Sequence, residues 1–410
     1  MRPQLPAMTM GATPSRRRRL RVLSSHVALP AAAECDVSVA PLEPGLVERF
    51  DRDGFVNAGE LLSHQQVADL SAALDRLIET GPDGFGTGPA PLSFRSFSGS
   101  AELASRPNWQ IMNCWESCAE FLALIYHPIV VRAVAQLLRT DSVAVWHDQV
   151  QYKPAEHGGV TGWHQDAPLW PNILPNTMIT AWIPFDDTIA ESGAMWMLPS
   201  SHLWGDQKQH MAAVAANLPQ IQTDAGTGRP SFDLDGFGDL DLSGFTPPPG
   251  VIDGATKAAA AAAVARPCPV ARGEVHFHHS LTWHGSPCNL SPRRRRAIGI
   301  HYMAADTTFV AAGQHPMGRF AAAHGLADGG SMLEAGPHFP VVLRGGELQH
   351  PPTGDGAIDR SLRALRESAL AILGSAAGQV MPPARIDGPY AIELPVGSMA
   401  PTPFREGWPK

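Results

Sequence analysis

The first third of the chain carries apolar residues at helical spacing. Ser63 and Gln66 stand three residues apart, as in a capping box, directly before these residues begin. The apolar residues that then recur every three or four positions are Val67, Leu70, Leu74, Leu77 and Ile78. Gly81 and Pro82 follow, and such a pair ends a helix. A second pattern of the same period covers residues 129–138, so two amphipathic helices are predicted here.

From residue 143 the period changes to two, which is typical of strands. The alternation over residues 143–153 places His147, Gln149, Gln151 and Lys153 on one face of a strand. Further strands are predicted over residues 178–185, 194–198, 264–267, 274–278 and 297–303. Gly, Pro, Asn and Ser separate them, and short strands with such turns indicate a β-sandwich or barrel. We therefore predict a mainly β fold with flanking helices.

Both ends and one internal segment differ in composition from this main domain of residues 45–345. Residues 1–44 begin without acidic residues and include four consecutive arginines, which predicts a disordered or targeting arm. Residues 224–262 are rich in Gly, Asp, Pro and Ala, and we expect an insertion or lid there. Residues 346–410 are predicted to form a helix and a tail packed on the main domain.

Composition and charge narrow the class of partner. The chain has 44% hydrophobic residues and a formal net charge of −8, so it has no general attraction for nucleic acid or an anionic membrane. We expect no membrane span, because no run reaches the roughly 18 to 20 apolar residues that cross a bilayer. Five cysteines are too few for a disulfide framework and favour the cytoplasm, or a peroxisome or mitochondrion if the arm is a targeting peptide. A small-molecule substrate is the predicted partner, and the oligomeric state stays open.

Three residues in the strand-rich region have side chains suited to one metal ion. His164 and Asp166 are two positions apart, so on extended backbone they face the same side. His284, just after a predicted strand, can supply a third ligand. Two histidines and one carboxylate form the facial triad typical of non-haem Fe(II), which leaves positions open for a co-substrate and oxygen. The other histidines of the region are predicted to be structural: His147, His157, His276, His278, His279 and His301.

An arginine run stands at the start of the last predicted strand. Arg295 belongs to this run, residues 293–296, and lies eleven residues beyond His284. A guanidinium there can hold a carboxylate through two hydrogen bonds. Arg296 takes this role if the strand register shifts by one residue, because such a shift exchanges the two faces. We favour Arg295 and expect the other arginines in a solvated turn.

Several motifs together resemble the phytanoyl-CoA dioxygenase family of Fe(II)- and 2-oxoglutarate-dependent oxygenases. They are Trp163-His164-Gln165-Asp166, residues 180–187, residues 191–202, and His284-Gly285-Ser286 followed by Asn289 and Ser291. The region of residues 50–70 is also similar, and the resemblance covers roughly residues 45–305. It implies a double-stranded β-helix, a cupin-like jelly-roll core, with helices packed outside.

The resemblance also implies roles for single residues. It makes His164, Asp166 and His284 the iron ligands, and Arg295 with Ser286 the clamp for the distal carboxylate of 2-oxoglutarate. The implied reaction uses Fe(II), 2-oxoglutarate and O2 to hydroxylate an unactivated C–H bond of a small or lipid-like metabolite, with release of succinate and CO2. Because related halogenases replace the carboxylate by a small residue, Asp166 favours hydroxylation.

Four further residues are expected around the co-substrate. Lys153 and Trp182 match positions that line its pocket in this family. Gln149 and Gln151 share the strand face of Lys153 and are alternative contacts to the co-substrate or the substrate. Two other functions stay open at this point: a non-catalytic jelly-roll binding protein, and a zinc hydrolase with the same triad. The hydrolase leaves Arg295 and Ser286 without a role.

Overall fold

The structure is a computed structural model that describes residues 42–81, 84, 91–97, 108–156, 158–175, 177–216, 222–223, 230–238 and 265–351. The chain divides into two compact units, Met1–Glu34 and Cys35–Lys410, and every described residue lies in the second. Almost all of the predicted arm, most of the predicted insertion and most of the C-terminal helix and tail lie outside the described residues, as does His157. Those boundaries stay predictions.

Strands outnumber helices in the described residues. The helices are α1 Pro44–Asp53, α2 His64–Thr80, α3 Ala119–Ile125, α4 Pro128–Leu138, α5 Lys208–Ala216, α6 Leu234–Gly238 and α7 Gly318–Ala323. The first nine strands are β1 Phe55–Glu60, β2 Ser93–Phe97, β3 Asn108–Met112, β4 Val143–Lys153, β5 Thr161–His164, β6 Ile173–Leu174, β7 Ile179–Pro184, β8 Met195–Met197 and β9 Gln222–Thr223. The others are β10 Pro230–Ser231, β11 Arg266–Cys268, β12 Glu274–His279, β13 His284–Ser286, β14 Arg295–Ala304, β15 Thr308–Phe309, β16 Val341–Arg344 and β17 Glu347–Leu348.

Two antiparallel sheets form the jelly roll. The large sheet has the order β1-β12-β7-β14-β4, with β3 and β16 both beside β4, β2 beyond β3 and β17 beyond β16. The small sheet has the order β11-β8-β13-β5. Trp182 and Ala297 of the large sheet share one apolar cluster with Met195 and Met197 of the small sheet, so these faces pack against each other. The predicted mainly β jelly-roll fold is confirmed.

Helices α1 to α4 cover the outer face of the large sheet. Helix α2 begins at the predicted capping box, in which Ser63 accepts from the Gln66 N–H, and it ends before Gly81. Its apolar face joins α1, α3 and α4 in one core with the outward side chains of β7 and β14, among them Ile183 and Ile298. Polar side chains alternate with these apolar ones along the strands, so the polar and charged side chains of the sheet point towards the interior of the jelly roll.

One described segment is long and apolar enough for a membrane span, whereas the sequence predicted no run of that length. Residues Ala119–Leu138 are long and apolar enough to cross a membrane by length and composition, but 67% of the most apolar part is buried inside the protein. The stretch is two helices, α3 and α4, separated at Tyr126 and His127 before Pro128. Both pack in the core on the large sheet, which accounts for their apolar composition.

The described part of the predicted lid packs behind the small sheet. Phe237 of α6 lies 6.5 Å from Trp163 and 5.2 Å from Trp196 between ring centroids. Trp163 precedes His164 in β5, so by strand alternation it faces away from the His164 side chain. This part of the segment therefore stabilises the back of the small sheet.

Candidate metal centre

The small sheet and the turn after β5 bring the predicted triad together. His164 ends β5 and pairs directly with His284, which begins β13. One ligand atom from each of His164, Asp166 and His284 lies within 4.8 Å of the others. His164 Nε2 is 3.0 Å from Asp166 Oδ1, and His284 Nε2 is 3.7 Å from the same oxygen. Three donor atoms thus converge from β5, the turn after it, and β13, which is more than 100 residues away in sequence.

Asp166 reaches the centre in a way that differs from the prediction. It has helical backbone angles, φ −66° and ψ −47°, and starts the 3-10 turn Ala167–Leu169, whereas the alternation argument required extended backbone. The buried Gln165 holds this turn, because its amide donates to the carbonyls of Gly205 and Leu281 and accepts the N–H of Gln207. The carboxylate is therefore aimed by a turn with its own anchor.

The backbone sets the tautomers of both histidines. His284 Nδ1 lies 2.8 Å from the carbonyl of Thr282, and His164 Nδ1 lies 3.1 Å from the carbonyl of His284. A carbonyl only accepts, so each Nδ1 carries the proton and each Nε2 presents a lone pair to the centre. Two neutral imidazoles and one carboxylate are a donor set that fits Fe(II).

Burial and charge favour the ligand forms of all three groups. Burial lowers the pKa of His164, and burial together with His164 holds the pKa of His284 well below its ordinary value. Burial alone raises the pKa of Asp166, but the imidazoles of His284, His164 and His278 outweigh it and hold that pKa well below the ordinary value. The centre is thus ready to bind a cation without first releasing protons at neutral pH.

Arg295 and Ser286 lie together, as the resemblance implied. Arg295 is 1% exposed, and its Nη2 donates to Ser286 Oγ at 3.1 Å. Its Nε and Nη1 have no hydrogen-bond partner among the described residues. The guanidinium carbon lies 5.6 Å from the ring of Trp182, and burial lowers the Arg295 pKa to about 10. Two N–H groups of the buried Arg295 guanidinium can therefore donate to a ligand.

Arg296 faces the other side of β14. Its guanidinium binds Asp186 through Nε at 2.9 Å and Nη2 at 2.8 Å, and it binds Asp75 of α2 through Nη1 at 3.0 Å. Arg294 also pairs with Asp75, at 2.8 Å. Neighbouring arginines thus have different environments, and only Arg295 shares the inner face with Lys153, its partner in β4.

The remaining predicted residues line the inner face between Arg295 and the triad. Lys153 donates to the carbonyls of Ser286 and Pro287, which ties the end of β4 to the end of β13. Trp182 donates to Gln151 Oε1 at 3.3 Å. By register, Gln149 and Trp182 lie opposite Gly299 on its two sides, and Ala297 and Gly299 are the inner-face residues of β14 between Arg295 and His301. We call this part of the inner face the lane.

Around the second oxygen of Asp166 lie Thr180, which the sequence did not single out, and His278 and His301, which it predicted to be structural. Thr180 Oγ1 donates to Asp166 Oδ2 at 3.1 Å, and His278 Nε2 lies 3.4 Å from that oxygen. His301 Nδ1 lies 2.8 Å from Thr180 Oγ1. Their signal was the alternation of β7, β12 and β14, which puts all three side chains on the inner face, but the register between strands was needed to read it.

Two curated proteins are similar to part of this chain. Phytanoyl-CoA dioxygenase domain-containing protein 1 of Bos taurus is 28% identical over 184 residues, which is 45% of this chain and 53% of that protein. Ectoine dioxygenase of Stutzerimonas stutzeri (strain A1501) is 24% identical over 179 residues, 42% of this chain and 55% of that protein. The matched segment spans about half the length of these relatives.

Fold and family comparisons cover more of the chain. The crystal structure of the non-heme alpha ketoglutarate dependent carbocyclase SnoK from nogalamycin biosynthesis aligns with a TM-score of 0.50 and 21% identity, over 73% of this chain and 96% of that one. That similarity supports the fold. The family model of phytanoyl-CoA dioxygenase (PhyH) matches residues 50–297, which include the triad and Arg295. Because this match covers more than half of the 410 residues, the protein belongs to the phytanoyl-CoA dioxygenase family.

Proposed function

We propose that this protein is an Fe(II)- and 2-oxoglutarate-dependent dioxygenase that hydroxylates an unactivated C–H bond of a small or lipid-like metabolite. The observation that carries the proposal is the buried guanidinium of Arg295, with two unpartnered N–H groups, on the sheet face beneath the triad. Unsatisfied charged donors in the interior cost about 1–3 kcal/mol or more, so this position favours an anion. The distal carboxylate of 2-oxoglutarate supplies it.

Each part of the site has a task in this reaction. His164, Asp166 and His284 would hold Fe(II), and Arg295 with Ser286 would hold the far end of 2-oxoglutarate. The bound iron supplies the oxidative chemistry, in which 2-oxoglutarate and O2 become succinate and CO2 and the substrate gains a hydroxyl group. Trp182, which is 1% exposed, walls the lane between them and keeps water out.

The two alternative functions account for less of the site. A zinc hydrolase needs the triad and one water, and it gives Arg295 no anion to bind. A non-catalytic binding protein has no need for three protein ligands that leave half of an octahedral metal open. The dioxygenase uses the triad, the arginine and the lane between them.

The arginine run does not favour a CoA thioester substrate. Arg293, Arg294 and Arg296 line a groove of about 710 Å³ beside α2. Arg294 and Arg296 are already paired with aspartates there, and Arg296 lies on the opposite face of β14 from Arg295. Phosphates held in this groove would lie behind the sheet from the metal. We therefore favour a substrate without a nucleotide.

The first test is an anaerobic titration of the metal-free protein with Fe(II) and 2-oxoglutarate. A one-to-one visible charge-transfer band is expected in the wild type and is expected to be absent from Asp166→Ala, which loses a metal ligand. Bound Fe(II) without a band would refute the dioxygenase and favour the hydrolase or the binding protein. Succinate release then provides the assay for a substrate screen.

Arg295→Met and Arg294→Met form a matched pair for the co-substrate site. We expect Arg295→Met to raise the half-saturating concentration of 2-oxoglutarate about 10- to 100-fold, because charge-assisted hydrogen bonds are lost. Arg294→Met removes an exposed charge from the same run and should leave the titration unchanged. Equal effects of the two substitutions would contradict the clamp.

A further inference from the structure

A second group of buried imidazoles lies on the inner face beside the triad. His147 of β4 pairs directly with His301 of β14, with ring centroids 4.5 Å apart. His315, from the loop after β15, stacks on His147 with centroids 5.5 Å apart. All three are at most 9% exposed, and none belongs to the metal-ligating group. The reaction proposed above leaves them without a role.

A chain of hydrogen bonds from the metal centre sets the tautomer of His301. Asp166 is proposed above as an ionised metal ligand, and an ionised carboxylate only accepts hydrogen bonds. The Thr180 hydroxyl therefore donates its single proton to Asp166 Oδ2, at 3.1 Å. Its oxygen is left to accept from His301 Nδ1, at 2.8 Å. His301 thus carries its proton on Nδ1 and has a bare lone pair on Nε2.

That lone pair belongs to the edge of His301 nearest the lane. A Cβ atom built on Gly299 would lie 3.5 Å from His301 Cε1 and 3.7 Å from His301 Nε2. Among the described residues, the one hydrogen bond of the His301 ring is made through Nδ1. Since Gly299 lies opposite Trp182 and Gln149, the Nε2 edge borders the space between Arg295 and the triad.

His147 presents a second acceptor and His315 a donor. His147 Nδ1 lies 3.3 Å from the Asp148 carbonyl, so its proton is on Nδ1, and its buried Nε2 has no partner among the described residues. His315 Nδ1 accepts the N–H of Met317 at 3.2 Å, which places its proton on Nε2. Burial, with the neighbouring imidazoles, holds the pKa of His301 well below its ordinary value and lowers the pKa of His147 and of His315 to about 3. All three rings are neutral at neutral pH.

We propose that the imidazoles of His301, His147 and His315 form a recognition pocket for an uncharged hydroxyl group of the substrate, beside the metal centre. A hydroxyl both donates and accepts, and so matches two bare nitrogens and one N–H. 2-Oxoglutarate offers only acceptors, so it cannot satisfy the bare nitrogens. An ammonium group would be repelled by a neighbouring metal cation. The inference rests on the proposed function for the metal and the co-substrate, and it narrows the substrate to alcohols.

The tautomers are measured on protein labelled with ¹⁵N-histidine and loaded with Zn(II) and 2-oxoglutarate, which does not turn over. Long-range ¹H–¹⁵N spectra are expected to show His301 and His147 protonated on Nδ1, and His315 protonated on Nε2. Spectra of His301→Gln, His147→Gln and His315→Gln assign the resonances. A proton on Nε2 of His301, or a charged ring, overturns the proposal. Since no turnover is needed, this result is separate from the oxygenase test.

Recognition is measured with a panel of small alcohols, each matched with its O-methyl ether. An ether keeps the oxygen that accepts hydrogen bonds and lacks the O–H that donates one. We therefore expect alcohols to shift the Nε2 resonances of His301 and His147, and to bind about tenfold more tightly than their ethers. His301→Leu should remove this preference. Equal binding of alcohols and ethers by the wild type overturns the proposal, as does a panel in which no alcohol shifts either resonance up to its solubility limit.

Thr180 provides the matched control. Thr180→Ser keeps the hydroxyl that links Asp166 to His301, whereas Thr180→Val keeps the shape and loses the link. We expect Thr180→Ser to retain the Nδ1–H tautomer of His301 and Thr180→Val to give a mixture of tautomers with a weaker alcohol preference. Identical spectra for the two variants contradict the hydrogen-bond chain even when both variants fold and bind metal.

Discussion

At the scale of single residues, the chemistry of the centre depends on which atom of each side chain is already hydrogen-bonded to a backbone carbonyl. Carbonyl groups take Nδ1 of His164 and His284, so Nε2 remains for a metal. Lys153 faces inward, as its position in the strand predicts, but its ammonium group binds two carbonyls at the end of β13. Residue type and strand face were predictable from the sequence. The engaged atom was not predictable for Lys153 and His164, because their partners lie more than 100 residues away, whereas His284 uses the carbonyl of Thr282 two residues before it.

Gly299 tests how much room the lane requires. We expect Gly299→Ala to weaken 2-oxoglutarate binding about tenfold, because its methyl group would enter the lane only 3.3 Å from Thr180 Cγ2. The measurement is the anaerobic titration, with urea unfolding as the check on the fold. Ile300→Val removes a methyl group from the outer face and should cost about 1 kcal/mol of stability without changing the titration. The lane is not the co-substrate path if the two substitutions give the same titration.

At the scale of elements, β14 separates function from stability by its two faces. Arg295 points into the site with unpartnered donors, and Arg296 points outward into ion pairs with Asp75 and Asp186. The sequence placed both at the start of a strand, but a register shift of one residue would have exchanged their faces. Pairing of β14 with both β4 and β7 decided between them.

Substituting each arginine by methionine should therefore have opposite effects. Arg296→Met is expected to lower the free energy of unfolding by about 2 kcal/mol, because Asp186 loses its guanidinium partner and Asp75 keeps only Arg294, and to leave 2-oxoglutarate binding unchanged. Arg295→Met is expected to weaken 2-oxoglutarate binding with little loss of stability, since it removes a buried cation with unsatisfied donors. Urea unfolding and the anaerobic titration of both variants provide the measurements. Parallel losses in both assays would contradict this division.

At the scale of the whole molecule, the interior contains many neutral imidazoles. Five buried histidines have a pKa lowered by burial to about 3 or 4: His127, His147, His202, His279 and His315. Below about pH 6.5 the unfolded chain binds protons that these folded side chains do not, so the free energy of unfolding falls as the pH falls. Burial raises the pKa of Asp148 to about 7, and this group acts in the opposite direction because its stabilising proton is lost as the pH rises towards 7.

We expect the metal-free protein to unfold at a mildly acidic pH. Below about pH 6.5, each such histidine lowers the free energy of unfolding by up to about 1.4 kcal/mol per pH unit. The whole free energy of unfolding of a native protein is only about 5–15 kcal/mol. Circular dichroism during urea unfolding at several pH values gives the slope. His127→Gln, far in sequence from the metal ligands, should reduce that slope by up to about 1.4 kcal/mol per pH unit. An unchanged slope would contradict the origin of the acid sensitivity in buried histidines.

The sequence by itself determined the parts of this protein that depend on local order. Helix α2 with its capping box, strand β4 at residues 143–153, and the three side chains proposed to bind the metal all follow from periodicity and residue chemistry within short segments. The tertiary structure alone decided how His164 meets His284 and which arginine faces inward. It also decided that Asp166 arrives from a turn. The reason is physical: strand pairing joins distant segments, and a shift of one residue changes the face of every side chain without changing the local pattern.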